Sequence, residues 1–409
     1  MASIVSLFQQ PRVEPLATGI LPSQTIASLI KAGKVISPIP VGDDQIQPAS
    51  IDLRLGSVGY EVRASFLPSE STIEKKIHDL FIREIKLEPS ATFSKNSVFI
   101  VPLIESLNLP ADMWGQANPK STTGRLDIFT RLITEPGGEF ERVPKGYSGS
   151  LYLEIVSRTF PIVVRKGMKL NQLRFIRGNP PSSDGRLVRL AEKEALVFED
   201  GENPIEPQID RGMRVSVDLQ GNSGSDIVAY KAKSNAPPID LDEVNRYDID
   251  EFWEVIRNPG PKGLILNPRD FYILASWERI SVPPTHAAEM VPFDPSIGEF
   301  RIHYAGFFDP GFGYGLSPAR GTKAVLEVRA HELPILLEDR QLVGKLKYYK
   351  MAKAPDKIYG PSIGSSYQQQ GLALSKQFKR ELCREQEPSS SPILSPPQLI
   401  PSNKSATHN

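Results

Sequence analysis

Cysteine is almost absent from this sequence: Cys383 is the one thiol in 409 residues. That excludes an internal disulfide framework and fits a reducing compartment. Long apolar runs are missing too. No window approaches the roughly 18 consecutive apolar residues of a membrane helix, and Met1–Gln10 lacks the basic start and apolar stretch of a secretion signal. The expectation is a cytoplasmic protein with no membrane partner. Net charge is also lacking, since 48 Lys and Arg balance 48 Asp and Glu. No global field draws the chain to nucleic acid, so any anion site has to be local.

What is present is proline, 37 of them, in a chain of ordinary hydrophobic (40%) and charged (23%) content. The length allows two or three domains. Short segments such as Ser97–Val101, Ser150–Ile155 and Lys323–Val328, bounded by Gly and Pro, read as strands. Helix signals are few. Ser23 to Gly33 reads as one helix, with Ser23 as N-cap and Gly33 as C-cap. Asp248 to Ile256 reads as another, because Ile249, Phe252, Trp253 and Ile256 fall at helical spacing.

The chain repeats itself. Ser97-Val-Phe-Ile-Val-Pro-Leu-Ile-Glu-Ser-Leu-Asn-Leu-Pro110 is similar to Asp270-Phe-Tyr-Ile-Leu-Ala-Ser-Trp-Glu-Arg-Ile-Ser-Val-Pro283. Leu153-Glu154-Ile155 matches Leu326-Glu327-Val328, and Phe160–Val164 matches Leu333–Leu337, all three at an offset of 173. Ser50–Leu53 and Ser216–Leu219 are alike at an offset of 166. Blocks in one order at so long a period indicate a duplicated domain rather than a solenoid. The loops between Arg177 and Asp210 predict the boundary, giving domains over 1–190 and 205–380. After Lys379 the composition turns to Ser, Pro and Asn, so 381–409 is expected to be a disordered tail.

Three segments could carry chemistry. Asn118-Pro-Lys-Ser-Thr-Thr-Gly-Arg-Leu126 brackets hydroxyls and a glycine between Lys120 and Arg125, a grouping suited to polyphosphate oxygens, although solvated loops of this composition are common. Strand alternation puts Glu154 on the face opposite Leu151, Leu153 and Ile155, where it is either a solvated carboxylate or a general acid or base. Tyr359 to Lys376, with Gly360, Gly364 and Gly371, reads as a mobile flap or as a bland flexible tail. A zinc-dependent base deaminase needs a His and Cys cluster. One Cys cannot supply it, and His286, His303 and His331 show no ligand spacing. Neither a G-x-S-x-G elbow nor a Rossmann fingerprint occurs.

Taken together, these motifs resemble the dCTP deaminase branch of the dUTPase-like superfamily. Gln47-Pro-Ala-Ser-Ile-Asp-Leu-Arg-Leu-Gly56 is very close to its opening signature. Lys120-Ser-Thr-Thr-Gly-Arg125 resembles its R-S-S-x-x-R loop, with Lys for the first Arg. Gly146-Tyr-Ser-Gly149 with Leu153-Glu154 resembles its G-[WF]-x-G and L-E block, Gly167–Leu173 its P-G-M-x-I-x-Q-L strand, and Ser366–Gly371 with Ser375-Lys376 its closing flap.

The resemblance implies a mainly β fold of two tandem dUTPase-like β-barrel or jelly-roll domains with a few short helices. It implies metal-free hydrolysis of dCTP to dUTP and ammonia, with Mg²⁺ carried by the triphosphate and no zinc. It further implies a homo-oligomer of the trimer type. By matched position Glu154 is the base, Ser121 and Arg125 adjoin the reacting centre, and Lys120 and Thr122 lie towards the phosphates. Two departures matter. The family's D-P-G reads Pro144-Lys145-Gly146 in the first half and survives as Asp309-Pro-Gly311 in the second. Pro295–Glu299 replaces the cationic loop in the second half. The expectation is therefore a shared site: Lys120, Ser121, Arg125 and Glu154 from one half, and the flap residues Tyr359, Tyr367 and Gln369 from the other. Asp309 and Glu327 belong to the same site, to a degenerate one, or to the fold. Competing readings are a dUTP diphosphatase, an enzyme doing both reactions, and a non-catalytic nucleotide-binding module.

Overall fold

The computed structural model describes residues 17–199, 203–221, 225–291, 300–302, 306–315, 320–330, 332–360 and 370–380. The 381–409 tail, the Pro295–Glu299 segment, Tyr367 and Gln369 lie outside the described residues. The architecture is mainly β, as expected. In the first half, one sheet runs Gly19–Ile20, Lys169–Arg177, Met113–Pro119, Arg142–Val143, with Ile51–Arg54 also on Lys169–Arg177. The facing sheet runs Phe81–Lys86, Val58–Val62, Val98–Asn108, Ser148–Ser157, Ile128–Thr134. The second half repeats the plan, with Met213–Ser216, Leu342–Lys350 and His286–Val291 in one sheet and Phe271–Ile280 against Thr322–Ala330 in the other.

Strand register makes the duplication concrete. Glu154 pairs with Ile100, and Glu327 pairs with Ile273, so both partners shift by 173. The earlier block needs correcting. Ile51 faces Leu173 and Arg54 faces Lys169, while Met213 faces Leu346 and Ser216 faces Leu342. The structural counterpart of Arg54 is thus Ser216, an offset of 162; the Ser50/Ser216 likeness is a coincidence of short sequence.

Both helix expectations shift at their edges. The first helix is Ser23–Lys31, capped by Pro22 with no side-chain bond, so Ser23 is a helical residue and not the N-cap. The C-cap is Ala32, and Gly33, expected there, is the next residue, at φ 65 with its N–H on the carbonyl of Ile30 at 3.0 Å. The second shrinks to Ile249–Phe252 and passes into a strand, Trp253–Arg257. There Trp253 opposite Ala232 continues the sheet, so tertiary pairing overrides the helical spacing. An unexpected helix, Asp184–Ala191, occupies the inter-domain stretch.

The halves share a core. Phe93, Phe99 and Phe160 of the first pack with Phe252, Trp253, Phe271 and Phe378 of the second in one buried cluster. Phe160 meets Trp253 edge-on at 5.5 Å. Ile162–Val164 also pairs in parallel with Ile239–Asp240, so a ladder crosses the boundary. Apolar burial at roughly 25 cal/mol per Å² makes such a cluster a main source of cohesion. The relative placement of the two halves is therefore set by packing, and that placement builds the site.

Candidate active site

Lys120 to Arg125 is a stiff turn. The strand Met113–Pro119 delivers it, Ser121–Gly124 forms a single helical turn, and Lys120 N–H donates to Leu170 O at 3.0 Å. Thr123 Oγ1 donates to the same carbonyl at 2.9 Å. From above, the second half lays a strap across it: Arg125 Nη1 donates to Ala373 O at 2.9 Å, and Ser375 Oγ donates to Thr122 O at 3.3 Å. The strap is pinned by Gln377, which is buried and donates to Leu241 O at 2.9 Å.

A cleft opens between the turn and the second half. Asn118, Lys120, Ser121 and Arg125 line one side; Glu327, Tyr359, Gln370 and the rings of Phe307, Phe308 and Phe312 line the other. Glu327 is buried, and that burial pushes its carboxyl up to about 7 while the Arg125 guanidinium pulls it back. Gln370 Oε1 is buried here with no hydrogen-bond partner among the described residues.

Alternation explains how Glu327 reaches this place. Glu327 and Arg329 are two apart on Thr322–Ala330 and so share a face, which is turned to the first half. Arg329 forms a buried ion pair with Asp127 and donates to Thr159 Oγ1 at 2.8 Å. Arg125 and Asp127 are likewise two apart. The Arg329–Asp127 pair thereby registers Glu327 against Arg125.

Glu154, expected as the base of this site, is elsewhere. Its carboxylate is 1% exposed, not on a solvated face, and it is held by Arg131 from the neighbouring strand, with Nε at 2.8 Å. It does not line the cleft that Ser121 and Arg125 line. Arg131 also lies 4.3 Å over the ring of Phe140, which closes that side. Sequence alternation placed Glu154 on the correct face but could not show that Arg131 would cover it.

A second chamber, about 350 Å³, adjoins the cleft at Lys120. Its walls carry Lys120, Thr122, Lys166, Lys169 and Lys376. Burial, then the nearby charges of Lys120 and Lys169, hold the Lys376 ammonium below its usual range. Lys120 is paired with the buried Asp52, and Lys169 with Asp44. Among the described residues, no group of three or more His, Cys, Asp or Glu could hold a metal ion.

Asp309 and Tyr359 are brought close, in different roles. The Asp309 carboxyl does not line the cleft; it is pinned by Arg174 of the first half at 3.0 Å. Arg174 is itself buried, donates to Ala288 O and Phe308 O, and stacks 3.9 Å over Phe307. Tyr359 lines the cleft directly, with its N–H on Pro310 O at 2.7 Å. Gly311 permits that approach, since a Cβ there would lie 2.9 Å from Tyr359 N at a φ of 95.

Two family models cover nearly all the described chain. Residues 17–179 match the N-terminal domain and 183–378 the C-terminal domain of 2'-deoxycytidine 5'-triphosphate deaminase. The chain belongs to the dCTP deaminase family. A crystal structure of 2'-deoxycytidine 5'-triphosphate deaminase from Agrobacterium tumefaciens is similar over 82% of this chain and 99% of that one, with 47% identity and a TM-score of 0.78. Shorter relatives match at lower identity. The dCTP deaminase, dUMP-forming, of Dictyoglomus thermophilum is 29% identical over 170 residues, 40% of this chain and 82% of its own length. The dCTP deaminase of Halorubrum lacusprofundi is 27% identical over 160 residues, 38% of this chain and 74% of its own. Each of these short relatives thus corresponds to about one half of this dCTP deaminase family member.

Sequence reasoning overlooked Lys169, Gln370, Arg174 and the three phenylalanines. Arg174 lies one residue past the Gly167–Leu173 block and looks like an ordinary strand cation. Its role depends on a surface of the second half that no local pattern encodes.

Proposed function

We propose that this protein deaminates dCTP hydrolytically, with the cytosine in the cleft beside Glu327 and the triphosphate in the lysine chamber. The observation that carries this reading is Glu327, a buried carboxylate poised near neutrality between Arg125 and the aromatic wall. A general base works best when its pKa lies near the working pH. Glu327 takes the place first expected of Glu154.

Ionised Glu327 removes a proton from a water as the water oxygen adds to C4 of the cytosine. The proton passes to N3, giving a neutral tetrahedral intermediate. The carboxylate then takes the proton of the C4 hydroxyl and delivers it to the amino group, the C4–N bond breaks as the C4 carbonyl forms, and ammonia leaves with dUTP as the other product. Ser121 and Arg125 orient the water, and Arg125 steadies the carboxylate. Phe308 and Phe312 pack around the base, and Tyr359 with Gln370 closes over it. Lys120 and Thr122 meet the phosphates first, with Lys169 and Lys376 further along. The chamber is cationic, so Mg²⁺ is best accommodated as the triphosphate's own counter-ion, held by phosphate oxygens.

A second product is worth testing because several relatives, that of Dictyoglomus thermophilum among them, are named dUMP-forming. That outcome requires a further water attacking the α-phosphate and release of pyrophosphate. Incubating the purified protein with dCTP and assaying ammonia, dUTP, dUMP and pyrophosphate tests both readings. Ammonia and dUTP in equal amounts are expected. Pyrophosphate with dUMP assigns the dual activity, and no ammonia at all refutes the proposal.

A further inference from the structure

The twin strands differ at a second place, away from the cleft. In the first half, buried Glu105 accepts the Arg54 backbone N–H at 2.8 Å and Arg54 Nε at 2.7 Å. The guanidinium continues to Ser37 Oγ and Ile39 O, both at 2.8 Å. Glu278, which stands 173 residues after Glu105, repeats the backbone contact: it accepts the Ser216 N–H at 2.9 Å. Its other oxygen accepts Ser216 Oγ at 2.6 Å. Register makes Ser216 the counterpart of Arg54. The second half has therefore kept the carboxylate and lost the guanidinium.

Where the guanidinium would lie there is a cavity of about 400 Å³. Glu278, Ser216, Trp277, Arg214 and Arg340 line it, together with Glu206. The Arg340 guanidinium rests 4.3 Å over the Trp277 ring, and Arg214 is held by Asp210 at 3.0 Å. Burial keeps the Glu278 carboxyl above the usual carboxylate range. The volume falls within the roughly 300–1,000 Å³ typical of small-molecule sites.

We propose that this cavity binds a small ligand with a planar guanidine or amidine edge on Glu278 and an anionic group between Arg214 and Arg340. The two carboxylate oxygens can accept two parallel N–H groups, as a guanidinium or a guanine edge presents them. Trp277 offers its face to the planar head, in the place now covered by Arg340. Arg214 and Arg340 then meet a phosphate or carboxylate. Two molecules share this chemistry: a guanine nucleotide and free arginine.

The test is calorimetric titration of the full chain with guanosine monophosphate and, separately, with L-arginine. Saturable binding of either is expected, and whichever binds assigns the source. Glu278→Gln, which keeps an acceptor for Ser216, should weaken binding by about tenfold, the scale of one lost charge-assisted contact. Arg340→Ala should weaken binding while leaving basal deamination unchanged. Lys120→Ala should not affect binding. The proposal is overturned if neither ligand saturates at millimolar concentration, if binding survives intact in Glu278→Gln and Arg340→Ala, or if Lys120→Ala abolishes it.

Discussion

Glu154 and Glu327 occupy the same position on duplicated strands, each opposite an isoleucine 173 residues from the other's. Their surroundings separate them. Glu154 is paired through one oxygen with Arg131 on the adjacent strand and does not line the cleft, its second oxygen being buried with no hydrogen-bond partner among the described residues. Glu327 faces the other half of the molecule, with Arg125 as its charged neighbour and burial lifting its carboxyl to about 7. A buried carboxylate with a close guanidinium is a structural ion pair, whereas one left partly uncompensated is held ready to exchange a proton. Duplication lets one chain contain both. The cationic turn survives in the first half and the carboxyl raised by burial stands in the second, so the proposed site depends on the meeting of the halves.

The largest expected effect is on the reaction itself. Glu327→Gln should lower kcat by about 10³, within the range typical of lost general acid–base catalysis, as measured by ammonia release. Next comes the clamp between halves. Arg174→Ala leaves Asp309 buried without its partner and should cost about 3 kcal/mol in denaturant unfolding. Glu327→Gln should act in the opposite direction on stability. A carboxyl raised on folding makes the native state bind more protons between the unfolded value and about 7, so stability falls as pH rises through that window. Removing the charge should raise stability at pH 8 by about 2–3 kcal/mol and have little effect at pH 4.

The pH profile follows from the same group. Below about 7, kcat/KM for dCTP should fall as Glu327 is protonated, approaching tenfold per unit, and it should level off above. An acid limb near 4 would argue for a differently placed carboxylate. The smallest effect is in the lysine chamber. Lys169→Ala should raise KM by about fivefold with kcat nearly unchanged, because Lys120 and Lys376 remain there to hold the phosphates.

Much of this was legible in the sequence. The constant offset of three blocks revealed the duplication, and the spacing of Lys120, Ser121 and Arg125 with glycine between them marked a candidate anion turn. Gly33 marked the end of its helix to within one residue of the actual C-cap, Ala32. What could not be read were facts of tertiary contact. Alternation gives the face on which Glu154 stands, but not that Arg131 pairs with it. The helical spacing of Phe252 and Trp253 was real, yet the sheet claimed Trp253 because its ring completes the shared aromatic core. The Ser50/Ser216 likeness misled by four positions, and hydrogen-bond register alone corrects it. Arg174 had no local signature, because all the described hydrogen-bond partners of its guanidinium lie more than a hundred residues away.

The central claim is that chemistry occurs at Glu327, between the halves. A structure of the Glu327→Gln variant trapped with dCTP tests it most directly. The account predicts the cytosine amino group and C4 beside residue 327, with the triphosphate running past Lys120 towards Lys376. Nucleotide bound against Glu154, with Arg131 displaced and the cleft empty, would contradict it.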